Sequence, residues 1–265
     1  MKKILIVLVL CIFLSGCWTT PDPPEPNEVT YRGFFVGVAR YENGWTLPSP
    51  AKNTESLKEL FGECKFGDEE IKFIAIETLV NLDATKENIL NGILSVFAES
   101  DNNDVSYFYY MGHGGKINDI PVITPSDFQG NLVSAISVHE LEATLSLISG
   151  TKVIFLETCH AGNFIDKNKN IIWEMFTEDS LDLLDKEGYQ VLASSRGDQY
   201  TWDSENGSYF CNSFIEGCEN LTSDTNNDGI VDLTEIYTHI RNHVPSCKQA
   251  VQIYPLGSTF PIVEY

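Results

Sequence analysis

The sequence predicts an α/β protein: a mainly parallel sheet with helices on both faces. Two observations carry that expectation. From Arg32 onward, short runs of apolar, β-branched and aromatic residues alternate with segments whose apolar residues recur at helical spacing. Strands separated by helices need crossover connections, and crossovers produce parallel pairing with helices laid over the sheet. Second, no internal repeat is present, and the only low-complexity tract is a proline-rich stretch near the N-terminus. A hydrophobic content of 43% is that of a globular protein.

Each element has its own signal. Phe34-Phe35-Val36-Gly37-Val38-Ala39 reads as a buried first strand. Ser49 to Phe61 carries Leu57, Leu60 and Phe61 at helical spacing. Ile71 to Leu79 is a second strand. Thr85 caps a helix that places Ile89, Ile93 and Phe97 on one face. Asp104 to Met111 is the third strand. Ser137-Val138-His139-Glu140 is a capping box opening a helix with Leu141, Leu145 and Ile148. Lys152 to Leu156 and Tyr189 to Ala193 are the fourth and fifth strands. A helix spans about Ser208 to Leu221, another starts near Leu233, and Ala250 to Tyr254 forms a last strand.

The N-terminus sets an expected compartment. Lys2 and Lys3 precede eleven apolar residues, Ile4 to Leu14. A membrane-spanning helix needs roughly 20, so this stretch has the shape of a signal peptide. Leu14-Ser15-Gly16-Cys17 resembles the bacterial lipoprotein cleavage box, which implies cleavage after residue 16 and lipidation of Cys17. An ordinary secretory signal with a chance cysteine is the weaker alternative. Residues 17–30 hold four prolines and read as an extended spacer. The resulting expectation is an extracytoplasmic lipoprotein, membrane-anchored through Cys17, with its folded domain over 31–265.

Once Lys2 and Lys3 leave with the signal, 15 basic residues face 38 acidic ones, a net charge of −23. That sign disfavours nucleic acid as a partner and attracts basic peptides or divalent cations. A solvated acidic surface accounts for most of the charge. Cys64, Cys211, Cys218 and Cys247 are able to pair in an oxidising compartment or to remain buried thiols.

The most informative pair is His113 and Cys159, 46 residues apart. His113 follows Val105 to Met111 and precedes Gly114-Gly115. Cys159 follows Lys152 to Leu156 and Glu157-Thr158, and precedes His160-Ala161-Gly162. Each sits where a strand would stop. In an open parallel sheet, ligands bind outside the carboxyl ends of the strands. A thiol and an imidazole there can act as nucleophile and base. The N–H groups of Gly114 and Cys159 are the natural oxyanion donors. His160 is a competing base, but adjacent residues usually point apart, which favours a structural role or a place at the lip.

Here the sequence resembles the caspase-like peptidases, particularly their bacterial and metacaspase-like branch. The resemblance runs from about Tyr31 to Val244. It rests on Phe34 to Tyr41, Ala84 to Leu90, Phe108 to Gly115, Val153 to Gly162 and Val191 to Gln199, in that order. It implies a caspase-type three-layer sandwich, His113 as general base and Cys159 as nucleophile. Two positions depart from the pattern. Glu157 stands where members usually carry an aspartate that binds a basic side chain before the scissile bond, and Ala161 replaces the usual serine. Glu157 is then the main specificity residue, with Asp198 as a second pocket carboxylate. Cleavage after Arg or Lys is expected, with Arg196 paired to acidic neighbours or turned outward. Residues 163–188 contain Lys167, Lys169 and Lys186 and are either a maturation segment or a plain surface insertion.

Asp224 to Glu235 fits the twelve-residue calcium loop. Asp224, Asn226 and Asp228 supply oxygens, Gly229 the turn, Ile230 its carbonyl, and Asp232 and Glu235 the remaining ligands. The alternative is an acidic turn capping a helix. A structural calcium ion and no organic cofactor are expected. His239, His243 and Cys247 form a weaker metal candidate, because Val244-Pro245 interrupts the helix. No zincin helix, phosphate loop, dinucleotide fingerprint or hydrolase elbow is present. The leading reading is a lipid-anchored cysteine endopeptidase acting on proteins or peptides. The alternative is a catalytically inactive, calcium-dependent surface binding protein of the same fold.

Overall fold

The computed structural model describes residues 28–67, 69–165, 184 and 188–265. The expected signal segment (1–16), Cys17 and nearly all of the expected proline spacer lie outside them, as do most of residues 163–188. Among the described residues, no helix is long and apolar enough to cross a membrane.

In chain order the elements are β1 (Tyr31–Gly37), α1 (Pro50–Glu63), β2 (Phe73–Val80), α2 (Lys86–Val96), β3 (Val105–Met111), β4 (Gly114–Ile117), β5 (Ile120–Ile123), β6 (Ile136–Ser137), α3 (Val138–Leu145) and β7 (Thr151–Glu157). They continue with β8 (Tyr189–Ala193), α4 (Tyr209–Glu219), β9 (Ile230–Asp232), α5 (Leu233–His243), β10 (Gln252–Tyr254) and β11 (Pro261–Glu264). The main sheet has the order β10-β8-β7-β3-β1-β2. All its pairings are parallel except that of β10 with β8. The expected α/β sandwich is therefore what the chain forms.

Side-chain alternation assigns the two layers. Phe35, Tyr107, Tyr109, Val153 and Phe155 face α1, α4 and α5, whereas Phe34, Phe108, Tyr110, Ile154 and Leu156 face α2 and α3. Phe61 of α1 sits among the rings of Phe35, Tyr107, Phe155 and Phe214, with centroids 5.2–6.1 Å away. Such ring pairs add about 0.5–1.5 kcal/mol each beyond area burial. At the opposite end of the sheet from the strand ends that matter below, Arg32 and Asp104 form a buried ion pair at 3.1 Å. Asp104 also accepts the N–H of Thr30, tying β1 to the entry of β3.

Helix caps follow the sequence signals. Thr85, Ser137 and Ser208 accept the N–H three residues on. Cys64, Cys211 and Cys218 are buried free thiols in the α1/α4/α5 layer, and Cys247 is an exposed free thiol. Of the two states open to these cysteines, the structure takes the unpaired one.

Candidate active site

The parallel pairing of β3 with β7 sets Met111 opposite Glu157. His113 and Cys159 each lie two residues beyond that pair, so they leave the same edge of the sheet from adjacent strands, which run about 4.8 Å apart. The Gly112 N–H donates to the Glu157 carbonyl at 3.3 Å and extends the pairing one step. Gly114 then presses on the end of β7: a Cβ there would lie 2.2 Å from Thr158 Oγ1. Only glycine lets the chain after His113 run this close to Thr158, the residue before Cys159.

His113 is held from three sides. Its N–H donates to Tyr41 Oη at 2.7 Å, and its carbonyl accepts from the Thr124 N–H and hydroxyl, both at 3.0 Å. Its ring lies 5.1 Å from the Tyr41 ring and 5.3 Å from the Trp45 ring. Burial lowers the His113 pKa, so the imidazole is neutral at neutral pH. Burial likewise raises the pKa of the half-buried Cys159 thiol. Tyr41, whose pKa is raised chiefly by its own burial, is also close enough to feel the charge of a Cys159 thiolate. Both shifts favour the uncharged forms, a thiol and a neutral imidazole that leave adjacent strands at the same edge of the sheet.

His160 is turned away by a left-handed backbone, φ 63°. Its Nδ1 lies 3.0 Å from the Gly197 carbonyl and its ring 5.2 Å from Tyr200. It braces the loop after β8. The Thr158 carbonyl ties down the same loop, accepting from Thr201 Oγ1 at 2.8 Å and Ser195 Oγ at 3.2 Å.

Glu157 is not at the surface. It continues the Val153–Phe155 face and is 1% exposed under α4. Tyr109 Oη donates to its Oε2 at 2.7 Å, while Ser208 and the Cys211 N–H, bonded to each other at 3.0 Å in the α4 cap, lie near enough to favour its charged form. Its Oε1 has no hydrogen-bond partner among the described residues. Burial, aided by the charge of Asp203, pushes its pKa up to about 7. Asp203 is the residue that sequence reasoning missed. Its carboxylate accepts the Ser49 N–H at 3.2 Å and the Ser49 hydroxyl, at the N-terminus of α1. Asp198, expected as the second pocket carboxylate, is instead exposed and bonded to Arg196 Nε at 3.1 Å. That pair sits on a turn stabilised by its own opposite charges, so the structure does not bring Asp198 to Glu157. Nothing in the local pattern distinguishes the two aspartates; only the path of the loop after β8 does.

The loop from Asp224 to Glu235 closes on itself. Asp224 accepts the N–H groups of Asn227 and Gly229, and Asp228 accepts from Ile230 and Asn226. Gly229 takes the left-handed turn at φ 85°. Asp232 and Glu235 form a reciprocal capping box at the start of α5, and Glu235 also accepts from Thr225. The donor set is all oxygen, as a hard cation requires. Yet among the described residues no group of three or more His, Cys, Asp or Glu side chains is gathered as a metal site.

A cysteine and a histidine at neighbouring carboxyl ends of a parallel sheet, with an acidic group beneath, are the arrangement of the caspase-like class. A caspase-domain profile matches residues 33–260, and the chain belongs to that family. Over 151 residues the chain is 29% identical to metacaspase-1 of Candida albicans, which is 51% of this chain and 34% of that protein. Metacaspase-9 of Arabidopsis thaliana is 28% identical over 130 residues, 44% of this chain and 38% of the relative. The alignments thus span only a third or so of these relatives' lengths. A Geobacter sulfurreducens protein of known crystal structure superposes with a TM-score of 0.66 at 16% identity, covering 89% of this chain and 97% of that one.

Proposed function

We propose that this chain is a cysteine endopeptidase cleaving after Arg or Lys, with Cys159 as nucleophile and His113 as acid–base. The reading rests on one observation above all: the unpartnered, buried Oε1 of Glu157 beside the Asp203 carboxylate, directly below the nucleophile strand end. Two carboxyl groups held close repel as they ionise. A guanidinium or ammonium inserted between them relieves that repulsion and satisfies the free oxygen, a guanidinium with two parallel hydrogen bonds.

In this mechanism the Cys159 thiol gives its proton to the His113 imidazole as sulfur attacks the scissile carbonyl. The carbonyl oxygen takes up negative charge facing the N–H groups of Gly114 and Cys159. His113 then protonates the leaving amine, which departs with the C-terminal part of the substrate and leaves an acyl-thioester. Water, deprotonated by His113, hydrolyses the thioester and restores the thiol. The test is a peptide-amide panel with Arg, Lys, Asp or Ala before the cleaved bond. Arg and Lys reporters are expected to react at least about tenfold faster than Ala. Faster cleavage after Asp refutes the acidic pocket. Failure of a peptidyl electrophile to label Cys159, or labelling undiminished in His113→Ala, favours the inactive binding protein instead.

Two further parts belong to this reading. Cys17 would carry the lipid that anchors the domain outside the cytoplasm, supported by the Leu14-Ser15-Gly16-Cys17 motif. The loop at 224–235 would hold a structural calcium ion through Asp224, Asn226, Asp228, the Ile230 carbonyl, Asp232 and Glu235, supported by its oxygen-only donors. Calorimetry should show calcium heat in the wild type and none in Asp228→Ala; equal heats in both remove the ion from the account.

A further inference from the structure

Beside His113 lies a cavity of about 460 Å³, lined by Trp45, Ile117, Val122 and Phe128, with Gly115 and exposed Lys116 at its rim. The Phe128 and Trp45 rings stand 6.1 Å apart. This space does not touch the acidic group. Glu157 lies on the face of the sheet covered by α1 and α4. The cavity instead opens between the loop after β1 and the small sheet β4-β5-β6, against the α2/α3 layer. His113 and Cys159 occupy the crest between the two.

We infer that this cavity binds a large apolar side chain, aromatic or branched aliphatic, carried by the substrate immediately after the scissile bond. The inference rests on the peptidase reading and adds the other half of the substrate. Chemistry fixes the direction. The imidazole must protonate the leaving nitrogen, so the chain attached to that nitrogen departs on the His113 side. The acyl half remains on Cys159, over Glu157 and Asp203. A cavity that includes the His113 ring and excludes the acidic group therefore receives the leaving half. Its walls are mainly apolar and aromatic, with Thr46 and Thr124 among them, which favours a large apolar side chain able to fill it. In a chain of net charge −21, the placement of Lys116 at the rim rather than a carboxylate avoids repelling an acidic residue further along.

A matched series with Arg before the cleaved bond and Ala, Leu, Phe or Asp after it tests the idea. Leu and Phe are expected to raise kcat/KM over Ala by roughly tenfold or more. Two variants should reduce that ratio towards one. Phe128→Ala removes a wall. Gly115→Leu places a side chain where a Cβ meets nothing within 4 Å and so fills the space without a backbone clash. Equal rates for Ala and Phe, or a ratio untouched by both variants, overturn the inference. A peptidyl-Arg primary amide, whose leaving group is ammonia and so places nothing in the cavity, reads the peptidase activity separately. If that amide is not cut, the cavity is judged on the Cys159→Ala protein by nuclear magnetic resonance titration with the amine-side fragments. Phe-Ala-amide binding where Ala-Ala-amide does not upholds the apolar recess; equal shifts from both overturn it.

Discussion

Glu157 carries opposite demands at the scale of a single residue. Its ordinary carboxylate value of 4.5 is raised to about 7 in the fold, first by burial and then by Asp203. Between those values the folded state holds a proton that the unfolded chain has released, so stability falls as pH rises across that window. Under the proposed function, the same ionisation readies the pocket for a cation. For Arg reporters, kcat/KM should climb with pH through the Glu157 ionisation near 7, because that parameter reports free-enzyme groups. In Glu157→Gln the climb should move to lower pH, where His113, itself shifted down by burial, becomes limiting. The rate plateau should fall, while the gain in melting temperature over wild type grows from about pH 5 to pH 7. An acid limb that stays in place in the variant would show that Glu157 does not meet the substrate. His113 and Cys159 were legible because each ends an apolar run followed by glycine. The burial of Glu157 and its partnership with Asp203 were not, because both depend on how α4 and the loop after β8 fold over the strand.

The same limit governs the elements. Runs long enough to cross the sheet declared themselves by composition, and the capped helices by Thr85, Ser137 and Ser208. The strands β4, β5, β6, β9 and β11 did not. β4 opens with two glycines, which weaken a strand signal. β5 contains Pro121, which reads as a turn. Pro121 is tolerated because β6 pairs only with Val122 and Ile123, leaving its missing N–H outside the ladder. These short pieces build the wall beside His113, so the cavity was invisible from sequence. The helix α2 hides a second constraint. A Cβ on Gly92 would lie 2.2 Å from Phe34 Cζ, so α2 sits on β1 at glycine distance. Helix propensity alone makes alanine better than glycine by about 1 kcal/mol. Overpacking costs typically about 1–3 kcal/mol, and Phe34 is 3% exposed with no room to swing. Gly92→Ala should therefore lower the urea midpoint, and Phe34→Leu in the same chain should recover part of the loss. A midpoint raised by Gly92→Ala would mean that α2 lifts off the sheet at little cost.

Across the whole molecule, the parallel register does the work that no local feature could. It collects residues far apart in sequence at one edge, with acid on one face and an apolar recess on the other. The protein's overall charge then acts on what arrives there. With 38 acidic residues against 17 basic ones, the surface field of the proposed peptidase would draw basic peptides towards the cleft before any contact forms. That field is long-ranged only at low salt: the screening length is about 30 Å at 0.01 M and about 8 Å at 0.15 M. Encounter with a peptide carrying several Lys or Arg residues should therefore slow as salt rises. A peptide with one Arg and compensating acidic residues should respond less. The expected result is a several-fold fall in kcat/KM for the polybasic peptide over that salt range, with little change in kcat, since binding within the pocket is shielded from the solvent. Identical salt dependence for the two peptides would mean that the surface charge is merely solvated and that recognition begins only at Glu157 and Asp203.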